Sequence, residues 1–320
     1  MEILEVFLIN LFMLGENFSN HNNQQIRDTT IIECEGFKFQ FKQLNIQLKQ
    51  SEFINQSLMT TKITVENIGS DKVELLLNIV DNFCSLLSFA QQAPVRRCGY
   101  KLGSEEHWTN CSAYILNPFA PIIKNAGKEI RNFIEQAYPT FKKFKSSRQL
   151  TVVFGYLCEA NRSTLTLELA LISHYIAIEN LKNSFAIEQG YKYKDGKYSH
   201  PLYPPQDYYC KNKEEYCFDE MTAKYIHKLY SKCGSTEMTK RMFVSARFKR
   251  AEISPFLNKR NKIIHEGILL PFGDENYMEQ AIKDCKNVSD LLRKYLLTLL
   301  NYKGAYYLSR DRIGPSGPIT

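Results

Sequence analysis

The chain has 320 residues, of which 44% are hydrophobic and 23% charged, with only 15 Gly and 11 Pro. This composition suits a packed protein of about two domains and excludes collagen-like, low-complexity and largely disordered classes. The net charge of +7 hides an asymmetry: residues 1–120 carry 9 Lys and Arg against 13 Asp and Glu, and residues 121–320 carry 32 against 21. The C-terminal surplus suits either a polyanionic partner or a solvated basic face.

Residues Ile3 to Leu14 form an apolar run interrupted by Glu5 and Asn10 and preceded by an acid, so they read as a buried segment and not as a secretory leader. No other stretch approaches about 20 uninterrupted apolar residues. Nine scattered cysteines without a CxxC pair suit a reducing compartment, and a cytoplasmic protein without membrane association is expected. From Thr29 to Ile68 the pattern is strand-like. Phe37, Phe39 and Phe41 alternate with Lys38, Gln40 and Lys42, the period-two signature of a half-buried strand. Val73 to Ala90 places Leu76, Ile79, Val80, Phe83 and Leu87 at helical spacing and predicts a helix ending before Pro94. Short strands are expected at Arg96 to Leu102 and Trp108 to Leu116.

Beyond Pro118 the pattern becomes helical, with helices expected over Lys128–Phe144, Leu150–Ala160, Leu165–Ala186 and Met278–Leu300. On the third, Leu165, Leu169, Ile172 and Ile176 follow the spacing of a core stripe whose next position is Glu179. A carboxylate there either finds a cationic partner or escapes to solvent. Residues 188–218 hold seven of the 19 tyrosines among lysines and prolines, an ordered loop that stacks bases or packs on its own domain. His200, Cys210, Cys217, His227 and Cys233 follow no usual zinc spacing, so no metal and no cofactor is expected. The tail from Arg310 onward has no apolar period and is expected to fray.

The most informative stretch is RFKRAEISPFLNKRNKIIHEG, residues 247–267. Ser254 and Pro255 read as a helix start and Gly267 as its end, with Phe256, Ile263 and Ile264 facing inward. Arg260 and His265 then lie about 140° apart around the axis. His265 falls in the last turn, where the carbonyl end of the helix favours the imidazolium. Arg247, Lys249, Arg250, Lys259 and Lys262 surround the pair and form a field that holds phosphates. An arginine able to stabilise charge on phosphorus oxygens, beside a histidine able to move a proton, is the minimum for RNA cleavage by the 2′-hydroxyl without a metal. An R-x4-H spacing is common by chance, and a helix-terminal histidine is more often structural.

The segment RNKIIHEG at 260–267, with SARFKRAEISPF before it and HYIAIENLKNSF at 174–185, resembles the HEPN superfamily and in particular its Apea-like members. The resemblance covers about residues 128–303. It implies a mainly α chain, with a HEPN-type helical bundle over 121–320 preceded by a smaller β-rich α+β domain over 1–120 that senses a trigger or regulates. It also implies a metal-independent endoribonuclease that works as a homodimer in bacterial defence or abortive infection. A phage-derived trigger or an antitoxin would be a further partner. Arg260, Asn261 and His265 match the catalytic motif, and Glu179 matches an acidic residue that faces it from an earlier helix. Toxins of this family silenced by nucleotidyltransferases carry a tyrosine where this chain has Gly267, so that mode of control is not implied. The alternative is a HEPN module that binds RNA or protein without cleaving. A DNA-directed nuclease is disfavoured by the lack of a D/E/K or HNH-like cluster.

Overall fold

The computed structural model describes residues 2–21, 24–44, 59–109, 121–162, 165–200, 216–219, 224–227, 232–266 and 277–309. Its N-terminal part is a sheet of seven antiparallel strands: β1 (Glu2–Ile9), β2 (Asn17–His21), β3 (Gln24–Cys34), β4 (Phe37–Gln43), β5 (Met59–Ile68), β6 (Arg96–Leu102) and β7 (Glu105–Trp108). They lie in the order β2-β3-β4-β5-β1-β6-β7. The apolar run at the start becomes β1, deep in the sheet between β5 and β6, with Leu4, Val6 and Leu8 on one face and Phe7 and Ile9 buried on the other. Burial on both faces is why this strand lacks alternation. β7 occupies 105–108, and the expected strand over 108–116 otherwise lies outside the described residues.

Helix α1 (Val73–Gln91) covers the face that presents Phe39 and Phe41, burying all five residues of its expected stripe. Phe83 is the centre of that contact, with ring centroids 5.0 Å from Phe39, 6.0 Å from Phe41 and 5.5 Å from Tyr138 of α2 (Gly127–Phe144). α1 is the one described helix long and apolar enough to cross a membrane, and 56% of its most apolar window is buried inside the fold, where its side chains meet the sheet. The other helices are α3 (Leu150–Ala160), α4 (Leu167–Glu188), α5 (Ser235–Ser245), α6 (Arg250–Glu266) and α7 (Tyr277–Leu299). α4 sits among α3, α5, α6 and α7. Short strands β8 (Lys192–Lys194), β9 (Lys197–Ser199) and β12 (Lys232–Gly234) make a three-stranded sheet beside α5, and β10 (Tyr216–Asp219) pairs with β11 (Lys224–His227).

The expectation of a mainly α chain with a HEPN-type bundle is therefore corrected. The seven-stranded sheet followed by helices makes an α+β protein. The helices are not a separate layer: α2 packs on both β3 and α1, and one buried cluster runs from Leu4 to Leu308. Two features concealed the β content. β1 reads as a plain apolar run, and β8 to β12 are too short to show a period.

The core stripe expected on α4 is also corrected. Leu169 is 51% exposed and Ile176 is 41% exposed, while Leu171, Tyr175, Ile178, Leu181 and Phe185 are buried. Because α4 has neighbours on several sides, apolar residues occur in more than one register, and periodicity chooses poorly between them.

α6 begins at Arg250, four residues before the expected Ser254 cap. The backbone N–H of Lys249 donates to the Glu252 carboxylate at 3.0 Å, the reach-back half of a capping box. Pro255 is accommodated within the second turn, and Ser254 Oγ donates to the Arg250 carbonyl at 3.0 Å instead of capping. Ile263 is buried as expected, Phe256 is half-buried, and the side chain of Ile264 lies outside the described residues.

Candidate active site

Two contacts between α4 and α6 build the site. Tyr175 Oη donates to the Phe256 carbonyl at 2.9 Å. One turn further along both helices, Glu179 Oε1 meets Arg260 Nη2 at 2.7 Å. Both contacts advance by four residues in the same sense, so the helices run side by side in parallel here, and each rung fixes the register of the next. Glu179 thus has the cationic partner that its position called for.

The other carboxylate oxygen, Oε2, is taken by Lys182 Nζ, one turn on in α4. Lys182 is buried, donates to Ser235 Oγ at 2.7 Å, and lies 5.4 Å from the ring centre of Tyr198 on β9. Burial pulls the Lys182 ammonium below its ordinary value, against the opposing pull of the Glu179 carboxylate that it donates to. Burial also pushes the Tyr175 and Tyr198 phenols up, so both remain protonated donors at neutral pH. One carboxylate meets two cations in a partly desolvated setting, with the buried Asp284 near Tyr175, and the Arg260 side chain is 16% exposed. Chemically, the arrangement can hold a guanidinium in a fixed direction toward an anion.

Lys182, Tyr198, Tyr175 and Ser235 were not anticipated. Lys182 had a local signal in its i,i+3 spacing from Glu179. Tyr198 had one in Asp195-Gly196, a two-residue hairpin turn with φ of 52° and 76° that places it on β9. Tyr198 packs within its own domain, with its hydroxyl donated to Asn183, whereas Tyr193 meets its ring at a tilt and is exposed. Residues 201–215 of that tyrosine-rich segment lie outside the described residues.

The backbones of Asn261 and His265 are on α6, His265 in its last turn, but their side chains lie outside the described residues, as do those of Lys259 and Lys262. Arg247 and Lys249 are exposed between α5 and α6. Arg250 is not open to solvent in the same way. It pairs with Glu237 at 2.7 Å and ties α6 to α5, and Arg241 approaches the same carboxylate oxygen at 3.5 Å. The cleft between α6 and α7 is lined by Glu252, Asp284 and Asp290 against one cation, Lys294, a net negative wall that disfavours phosphate. Among the described residues no three metal-ligating side chains cluster. Cys210 and the side chains of Cys217 and His227 lie outside them.

Comparison with protein families, characterised proteins and solved structures finds no match to this chain.

Proposed function

We propose that the protein is a metal-independent endoribonuclease with a HEPN-like R-x4-H motif, acting in the cytoplasm as a defence or abortive-infection toxin. The observation that carries this reading is the ion pair between Glu179 and Arg260, which joins the two segments that carry the resemblance. Arg260 faces the scissile phosphate and stabilises charge on its non-bridging oxygens, while Glu179 fixes the guanidinium. The 2′-hydroxyl oxygen bonds to phosphorus as the bond to the 5′-oxygen breaks. His265 of one copy takes the 2′ proton and the partner subunit's His265 supplies one to the leaving 5′-oxygen, while Asn261 orients the histidine or the RNA. Lys182 adds positive charge behind Glu179, and Arg247 and Lys249 bind flanking phosphates. RNA is the substrate, and two copies of the chain form the working dimer.

A second reading is favoured by the low exposure of Arg260: the pair then clamps α4 to α6 in a module that binds RNA or protein without cutting. The test is incubation of total tRNA and a long single-stranded RNA in EDTA with wild type, Arg260→Ala and His265→Ala. The nuclease reading expects cleavage by wild type only. Equal RNA binding by all three proteins without cleavage, together with growth arrest absent in cells expressing wild type, would replace it with the second reading.

A further inference from the structure

A second constellation lies away from Arg260, in a cavity of about 810 Å³ between α4, α7, the end of α3 and the segment leading into α2. Its volume falls in the range of small-molecule sites, and neither Glu179, Lys182 nor Arg260 lines it. Three polar side chains on its wall are almost wholly buried: His174 at 2% exposure, Arg293 at 3% and Ser289 at 4%. Each keeps an atom without a hydrogen-bond partner among the described residues, namely His174 Nε2, Arg293 Nε and Ser289 Oγ, and Asn125 Oδ1 on the same wall is a fourth. Buried polar groups are nearly always satisfied by protein or by ordered water, so four unpaired atoms around one cavity mark it as a place where water or a ligand supplies the partners.

The chemistry of each group restricts what that partner is. His174 Nδ1 lies 2.8 Å from the Ala170 carbonyl, which can only accept, so Nδ1 carries the proton. Burial and the neighbouring Arg293 hold the imidazole neutral, with its pKa down at about 4. Nε2 is therefore a bare acceptor and, like Asn125 Oδ1, needs a hydroxyl or amino donor. Arg293 Nε and Ser289 Oγ offer donors in return. Arg293 is already partly balanced by Asp290 at 3.7 Å, and its Nη1 donates to Ser309 Oγ at 2.9 Å. The uncompensated charge at the rim comes from Lys124 and Lys286, neither of which has a carboxylate in ion-pair range among the described residues, and no acid lines the cavity.

We infer that this cavity binds a small phosphate ester bearing free hydroxyl or amino groups, of the sugar-phosphate or nucleotide class. The phosphate sits toward Lys124 and Lys286, and the hydroxyl or amino donors reach His174 and Asn125. Lysines at the mouth supply charge without directional demand, and the buried groups behind them select for hydrogen-bonding pattern.

The test is calorimetric titration of the full chain with inorganic phosphate, ribose 5-phosphate, AMP and adenosine. The expected result is saturable one-to-one binding of at least one phosphate ester, tighter than both inorganic phosphate and adenosine. Lys124→Ala with Lys286→Ala should weaken it at least tenfold, and Ser289→Ala should weaken it while leaving the circular dichroism spectrum unchanged. Cleavage of RNA by these variants at the wild-type rate separates this site from the α4–α6 site. The inference is overturned if no ester binds saturably, which leaves a water-filled cavity, or if binding survives both the lysine and the serine substitutions.

Discussion

Glu179 is the residue on which the account turns, because it holds two cations at once. Glu179→Gln keeps its shape but loses the charge that faces buried Lys182 and Arg260. RNA cleavage should fall by at least about 100-fold, since a misdirected guanidinium forfeits transition-state stabilisation of roughly 3 kcal/mol. Stability should fall by about 1–3 kcal/mol in urea titration. Unchanged cleavage with lowered stability would mark the pair as structural. His174 makes a separate prediction in pH. Its pKa is lowered from 6.5 to about 4, so between those values the unfolded chain binds the proton and the native chain does not. Stability is then full above pH 6.5 and is lost as pH falls toward 4. The unfolding free energy from urea titration should drop between pH 7.5 and pH 5 by about 2 kcal/mol more for wild type than for His174→Gln. An identical pH dependence in the two proteins would mean that the ring is charged or exposed.

Among the elements, legibility followed the number of faces that each one buries. β4 shows one face to the core, so Phe39 and Phe41 could be read from spacing, whereas α1 also buries Cys84, Leu86, Phe89 and Ala90 beside the stripe that spacing marks; Phe83→Ala should cost about 3–5 kcal/mol by leaving a void between sheet and α2. Near wild-type stability in that variant would mean that the sheet and helix do not share this core. β1 and α4 bury several faces, and their side chains could not be assigned to one side by period. For α4 Glu179 was nevertheless legible, because a carboxylate inside an apolar segment signals a partner whichever stripe it belongs to, whereas Tyr175 and Lys182 were not. The start of α6 was misjudged because Ser-Pro is a strong local signal, while Glu252 reaching back to Lys249 becomes meaningful only once the helix is known to start earlier. Glu252→Ala should lower stability by about 1 kcal/mol, whereas Ser254→Ala should be close to neutral in the same titration. The reverse order would restore the cap to Ser254.

For the whole molecule, charge asymmetry pointed to the C-terminal part, but not to which of its cations remain available. Glu237 takes Arg250 and draws Arg241, and this depends on how α5 meets α6, a tertiary fact that no local pattern contains. The sheet and helices share a continuous buried cluster across residue 120. Thermal unfolding followed by Trp108 fluorescence in the sheet and by far-ultraviolet circular dichroism should therefore coincide in one transition. Two separated transitions would show independent folding of residues 1–120 and 121–320. The cavity at His174 lay beyond sequence reading for a related reason: its groups come from three helices and two connecting segments far apart in the chain.

The most direct measurement is of the ends left on RNA cut in EDTA, by mass spectrometry, for wild type and for Arg260→Ala, His265→Ala and Glu179→Gln. Wild type should leave 2′,3′-cyclic phosphate and 5′-hydroxyl ends, and the alanine variants no product above background. Intact RNA with wild type, or cleavage that survives loss of both Arg260 and His265, would contradict the nuclease reading.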